Sequence, residues 1–269
     1  MNDEELIFNR LWESYINQNP MVEKVYNLFT AEGEKVINDH VAFRTFRNPL
    51  IGIDVLAQPF LDVGYEFVSD YIFEEKKLTA KHFENKSNPE APRVFISELQ
   101  SHEFSTYLQD VVRDWIYAIP ECVIGSNLLL NAGNVSGVPS FGTYKKLREE
   151  SEYAAWLYVN GFRANHFTVS VNHLKKFDSV QKVNSFLKSQ GILLNDGGGE
   201  IQGTPEQLLE QSSIKAGLIR VRFSEGEFDI PGCYYEFARR YPGKDGKIYS
   251  GFITKSADKI FESTNFYRK

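Results

Sequence analysis

Cysteine is almost missing from this chain. Of its 269 residues only Cys122 and Cys233 are cysteine, so no disulfide framework can staple it. Long apolar runs are missing too. None approaches the roughly 18 residues that a membrane-spanning helix needs, and no membrane partner is expected. The amino-terminal segment MNDEELIFNRLW is acidic and amphipathic. It lacks the basic flank and apolar stretch of a signal peptide, which makes the cytoplasm the expected compartment. Positive charge is in deficit, with 30 Lys and Arg against 36 Asp and Glu and a net charge of -6. That balance argues against nucleic acid as a main partner, because phosphate binding needs a basic face. A small anionic substrate needs only one or two arginines.

What is present is an ordinary globular composition, 42% hydrophobic and 25% charged, in a chain long enough to bury a substantial core. Aromatic residues are plentiful, with 21 Phe and 14 Tyr. They suit packed sheets and the walls of a small-molecule pocket.

The apolar spacing predicts helices over residues 3–30 with a break at Pro20, and a strand around His40. A helix over 51–62 and strands at 65–73, 78–84 and 93–99 follow. Residues 103–119 read as a helix that stops before Pro120. A glycine- and asparagine-rich loop spans 125–142, and TYKKLREESEYAAWLYVNG reads as one helix ending at Gly161. A strand around His166, a helix over 177–190, a glycine turn at 196–199 and a short strand near 200–202 come next. Strands at 217–224 and 232–240 precede a tail, 251–264, read as a short strand or turn leading into a short helix. The order strand, helix, strand, strand, strand thus occurs twice. The expected fold is α+β: one domain over 1–269, built of paired β-α-β-β-β modules that form a partly open barrel. Module one covers about 36–100 and module two about 163–255, with a helical insertion at about 101–162 and helices at the amino terminus.

Three strand-like segments carry the chemistry: NDHVAFRT from Asn38, ANHFTVS from Ala164 and CYYEFARR from Cys233. Each brings one metal-ligating side chain, His40, His166 or Glu236. Two imidazoles and a carboxylate can occupy one face of an ion and leave other positions open, as suits non-haem iron(II). Alternation along a strand puts His40, Ala42 and Arg44 on one face, His166, Thr168 and Ser170 on another, and Tyr234, Glu236, Ala238 and Arg240 on a third. Each segment also has a plain structural reading. A strand histidine is ordinarily a hydrogen-bonded core residue, and Glu236 could simply pair with Arg239 or Arg240. Arg44 could pair with a carboxylate at a barrel rim. The chain has further histidines at 82, 102 and 173, so histidine alone is not diagnostic. The Gly197–Gly199 run lacks a P-loop's lysine and spacing and reads as a turn. Ser212 and Ser213 lack the His and Asp pattern of a nucleophile and are expected to hydrogen-bond near the pocket.

With NDHVAFRTF at 38–46, ANHFTVSV at 164–171, EQSS at 210–213, YYEFARR at 234–240 and GFITKSADKIFEST at 251–264, the chain resembles the 2-oxoadipate dioxygenase/decarboxylase (hydroxyglutarate synthase) family. That family is a branch of the vicinal oxygen chelate superfamily, with the glyoxalases and extradiol dioxygenases. The resemblance implies the paired-module barrel around a metal, with His40, His166 and Glu236 as metal ligands and Arg44 as the substrate-carboxylate residue. It implies iron(II) as cofactor, and dioxygen and a small 2-oxo acid as partners. The implied reaction converts 2-oxoadipate to 2-hydroxyglutarate and carbon dioxide in lysine degradation. A glyoxalase-like lyase, isomerase or hydrolase using zinc, nickel, manganese or cobalt is the alternative.

Overall fold

The computed structural model describes residues 2–254. From residue 255 on, the expected helical tail lies outside the described residues. The described residues divide into two compact units: 2–15, 42–165 and 220–230, and 16–41, 166–219 and 231–254.

In the first unit, helix α1 (Asp3–Gln18) is followed across Pro20 by α2 (Pro20–Ala31), which belongs to the second unit. Strand β1 (Asn38–Phe46), whose residues 38–41 belong to the second unit, leads to α3 (Ile53–Leu61) and strands β2 (Tyr65–Phe73), β3 (Leu78–Asn85) and β4 (Arg93–Leu99). This is the first β-α-β-β-β module as expected, with strand order β2-β3-β4-β1. Its core gathers on Phe60, whose ring centroid lies 5.8 Å from Phe8, 5.7 Å from Phe43 and 5.7 Å from Tyr65.

The helical insertion holds α4 (Thr106–Tyr117), α5 (Phe141–Glu150) and α6 (Glu152–Asn160). The single helix expected over 143–161 is in fact two. Ser151 takes an extended conformation (φ -150°, ψ 108°), and its hydroxyl accepts the N–H of Ala154. A serine N-cap starts a new helix at lower cost than it continues an old one. Gly161 then ends α6 at φ +63°, where a Cβ would lie 2.1 Å from the carbonyl oxygen of Gly133.

In the second unit, β5 (Ala164–Ser170), α7 (Val180–Ser189), β6 (Gln202–Thr204), β7 (Leu209–Ser213) and β10 (Glu236–Arg240) form the second module. The order is β1-β5-β10-β7-β6. Strand β10 runs parallel to β5 and antiparallel to β7. Phe29 of α2 packs against Phe177, Phe186 and Phe237 at 5.4, 5.3 and 5.6 Å, tying α7 to the sheet.

Two expectations for this module are corrected. The strand expected at 217–224 is β8 (Leu218–Phe223), and it pairs with β9 (Gly226–Pro231) in a separate two-stranded sheet. Its alternating charges explain this, since Arg220 reaches Asp229 across the hairpin at 3.3 Å and the strand is half exposed. The module strand in its place is β7, LEQSS. It has too few apolar residues to announce itself, yet every residue in it is buried. The third motif enters regular strand only at Glu236, four residues later than expected.

The tip of the β8–β9 hairpin carries Glu225, which caps α5. Its carboxylate accepts from the N–H groups of Gly142 (3.0 Å) and Phe141 (2.8 Å) and from the hydroxyls of Ser224 (2.7 Å) and Ser140 (2.8 Å). These donors, the two N–H groups first, hold its pKa far below the usual glutamate value of 4.5. A carboxylate with a lowered folded-state pKa stabilises the fold above its unfolded value and loses that contribution as pH falls through the folded one. The melting-temperature gap between wild type and Glu225→Gln is therefore constant above pH 4.5 and narrows below it. Thermal melts across that range check the prediction, and a gap that widens in acid contradicts it.

Candidate metal centre

Strand β5 ends at Ser170, and β10 lies beside it in parallel register with Glu236 opposite Thr168. His166 stands two residues before Thr168, on the same face by alternation. His40 stands near the start of β1. The second unit thus brings together three side chains that are up to 196 residues apart in sequence. One ligating atom from each of His40, His166 and Glu236 lies within 4.8 Å of the others, and all three residues are buried. His166 Nε2 is 3.2 Å from Glu236 Oε2, and His40 Nε2 is 3.9 Å from Glu236 Oε1.

The donor set fits a divalent metal. Two donors bound about 2.1 Å from one ion at right angles lie about 3 Å apart, close to the His166–Glu236 separation. A buried carboxylate also needs a compensating cation. Among the described residues Glu236 meets only the two imidazoles as ion-pair partners and Gln211 as amide donor.

Supporting groups aim the imidazoles. Asp39 Oδ1 lies 2.8 Å from His40 Nδ1, which places the ring proton there and leaves Nε2 as the donor atom. Asp39 is gripped in turn by Arg240, with Nε at 2.7 Å from Oδ2 and Nη2 at 2.9 Å from Oδ1. Arg240 Nη1 also donates to the carbonyls of Tyr249 and Gly251, so the segment leading to Phe252 is pinned and the Phe252 ring stands edge-on to His40 at 4.9 Å. The Thr168 hydroxyl lies 3.0 Å from His40 Nε2. The Tyr234 ring stacks on His166 at 4.7 Å.

Asp39 and Arg240 were thus missing from the candidates, although both sit inside quoted motifs and Arg240 shares Glu236's face. Asp39→Asn keeps an acceptor for His40 but loses the paired oxygens that Arg240 needs. It is expected to weaken metal binding by roughly 10–100-fold, the usual cost of removing an outer partner of a ligand. Metal titration of the folded variant checks this, and unchanged affinity contradicts it.

The remaining candidates sit elsewhere. Arg44 belongs to the first unit and is buried, with its guanidinium 4.9 Å over the Tyr153 ring and 5.2 Å from that of Trp156. Its Nη1 is 3.5 Å from Glu152 Oε1. Ser212 does not face Glu236. It is opposite Phe237 in the ladder, and its hydroxyl donates to Asn184 on α7 at 2.7 Å. Ser213 and Gln211 take the Glu236 side instead, because alternate residues share a face. His173 lies beyond β5 in a 3-10 turn, 2.8 Å from the Ser170 hydroxyl.

The family model described as 2-oxoadipate dioxygenase/decarboxylase matches residues 7–119 and 130–244. The chain belongs to that family. An Arabidopsis thaliana protein named as a chloroplastic 2-oxoadipate dioxygenase/decarboxylase is 38% identical over 275 residues, covering 93% of this chain and 74% of its own. The structure of hydroxyglutarate synthase from Oryza sativa, solved in complex with 2-oxoadipate, superposes with a TM-score of 0.90 at 32% identity. The match covers 98% of this chain and 93% of that one. A structure from Shewanella frigidimarina, named provisionally as a hydrolase, gives a TM-score of 0.89 at 43% identity and covers 94% and 99%. This member of the 2-oxoadipate dioxygenase/decarboxylase family is an enzyme of that type. Among its described residues no helix is long and apolar enough to cross a membrane.

Proposed function

We propose that this enzyme converts 2-oxoadipate and dioxygen to 2-hydroxyglutarate and carbon dioxide, as a step of lysine degradation, with iron(II) held by His40, His166 and Glu236. The observation that carries the reading is the buried pair of imidazoles and single carboxylate within one ligating distance of each other, in a chain whose family is named for this reaction. Two histidines and one carboxylate with open positions are the donor set of non-haem iron(II) oxygenases. Bound there, the ion supplies positions where the oxo acid's carboxylate and keto oxygens and dioxygen can meet.

The chain's own residues do the rest. Asp39, backed by Arg240, keeps the His40 proton on Nδ1. The burial of all three ligands, with Phe252 and Tyr234 against the imidazoles, keeps bulk water from the reacting groups. Arg44 takes a substrate carboxylate. Its cation lies over two aromatic faces, and a planar guanidinium suits a planar anion.

Oxygen uptake by freshly iron-loaded protein given 2-oxoadipate tests the proposal. Carbon dioxide and 2-hydroxyglutarate are expected in equal amounts, one of each per dioxygen consumed. No uptake with any 2-oxo acid, alongside turnover of a small carbonyl substrate by the zinc-loaded protein, would move the chain to the lyase or hydrolase reading.

A further inference from the structure

Gln211 touches the candidate metal carboxylate, and the roles above leave it unused. It lies on β7 opposite Ala238 of β10, two residues from Ser213, which is opposite Glu236. The residue is 3% exposed. The amide Nε2 donates to Glu236 Oε1. A carboxylate offers no hydrogen to donate, so the end of the amide that meets it is the NH2 end. The other end, Oε1, is then buried with no hydrogen-bond partner among the described residues. Leaving a buried acceptor unmade is costly. The orientation of this amide is therefore set by Glu236 and not by its own full satisfaction.

The contact makes the two oxygens of Glu236 unequal. Oε1 carries the amide N–H and lies 3.9 Å from His40 Nε2, while Oε2 lies closer to an imidazole, 3.2 Å from His166 Nε2. A hydrogen bond to one carboxylate oxygen occupies one of its lone pairs and draws off charge, which favours the other oxygen as the donor to an ion. We infer that Gln211 holds Glu236 as a one-oxygen ligand and so reserves the coordination position that dioxygen needs. The inference rests on the iron(II) oxygenase reading above. Two imidazoles and one carboxylate oxygen use three of six positions, leaving three. A 2-oxo acid chelate fills two and dioxygen the last. A carboxylate bound through both oxygens uses one more, and the chelate then fills all that remain. Gln211 is thus a positioning residue for dioxygen, acting through Glu236.

Nitric oxide, an EPR-visible surrogate for dioxygen, separates the possibilities. Wild-type protein and Gln211→Met, near-equal in shape but without the amide, are loaded with iron(II) under anaerobic conditions with and without 2-oxoadipate. Iron content and 2-oxoadipate binding are expected to match wild type. Without the oxo acid, nitric oxide should bind both proteins. With it, the nitrosyl signal of the variant should fall roughly tenfold or more, in the range seen when an outer partner of a ligand is removed. Gln211→Asn, whose shorter amide cannot reach as far, serves if the methionine variant fails to fold and should show the same loss. An undiminished nitrosyl signal in the oxo acid complex of the folded variant overturns the inference. Loss of iron from the folded variant does so too, because Gln211 would then be retaining the metal instead of setting how Glu236 binds. If wild type itself takes up no iron, the reading of function fails, a result distinct from either.

Discussion

His166→Ala yields a folded protein that no longer retains stoichiometric metal and has no oxygen uptake above background. The imidazole is one of the three proposed ligands, and the two left cannot define a closed face on an ion. The loss in affinity should exceed the roughly 10–100-fold that removing an outer partner costs. Folding is expected to survive, because the packing of β5 comes from Phe167 and Val169 on the opposite face, both buried. His173→Ala is the matched control. That residue sits past the strand end with the Ser170 hydroxyl as its neighbour, and its removal should leave metal content unchanged. Elemental analysis and oxygen-electrode traces of the two variants make the comparison. Full iron stoichiometry in His166→Ala would mean that the wrong histidine has been chosen.

Arg44→Lys is expected to keep its iron and lose its grip on substrate. Lysine retains the positive charge, but it is a point donor on a flexible stem and cannot make two parallel hydrogen bonds to a carboxylate. It also stacks less well on the faces of Tyr153 and Trp156, over which the Arg44 guanidinium lies at 4.9 and 5.2 Å. Breaking a buried charge pair costs about 2–5 kcal/mol, so kcat/KM for the 2-oxo acid should fall by tens to thousands of fold (about 1.4 kcal/mol per factor of ten). Most of the change should appear in KM if the arginine serves binding alone, and in kcat as well if it also orients the reacting end. Steady-state kinetics with iron content measured in parallel decide this. An unchanged KM would return Arg44 to a structural role beside Glu152, which lies 3.5 Å from its Nη1.

Much of the fold was legible because it is local. The helix-strand-strand-strand spacing of the first module follows from apolar periods of about 3.6 and 2 residues, and each element falls where that spacing puts it. The break at Ser151 was available in the sequence as a serine before an acidic helix start, but the apolar residues on both sides masked it. Strand β7 was not legible. Leu209-Glu210-Gln211-Ser212-Ser213 has the composition of a loop, and only pairing with β10 buries all five residues. The β8 segment failed in the opposite direction. Its strand pattern was correct, but its exposed Arg220 pairs with Glu227 and Asp229 of β9 and the segment stays out of the module sheet.

For the candidate metal centre, the sequence alone supplied the kinds of candidate ligand and their strand faces. Residue type and two-residue alternation are properties of a short segment and need no partner. Tertiary structure decided which groups support those ligands. Asp39 meets Arg240 across 201 residues, and Gln211 meets Glu236 across 25. A buried polar group must be satisfied by whatever the fold places beside it. Such a partner leaves no periodic trace in the chain, so it emerges only when the strands are laid side by side.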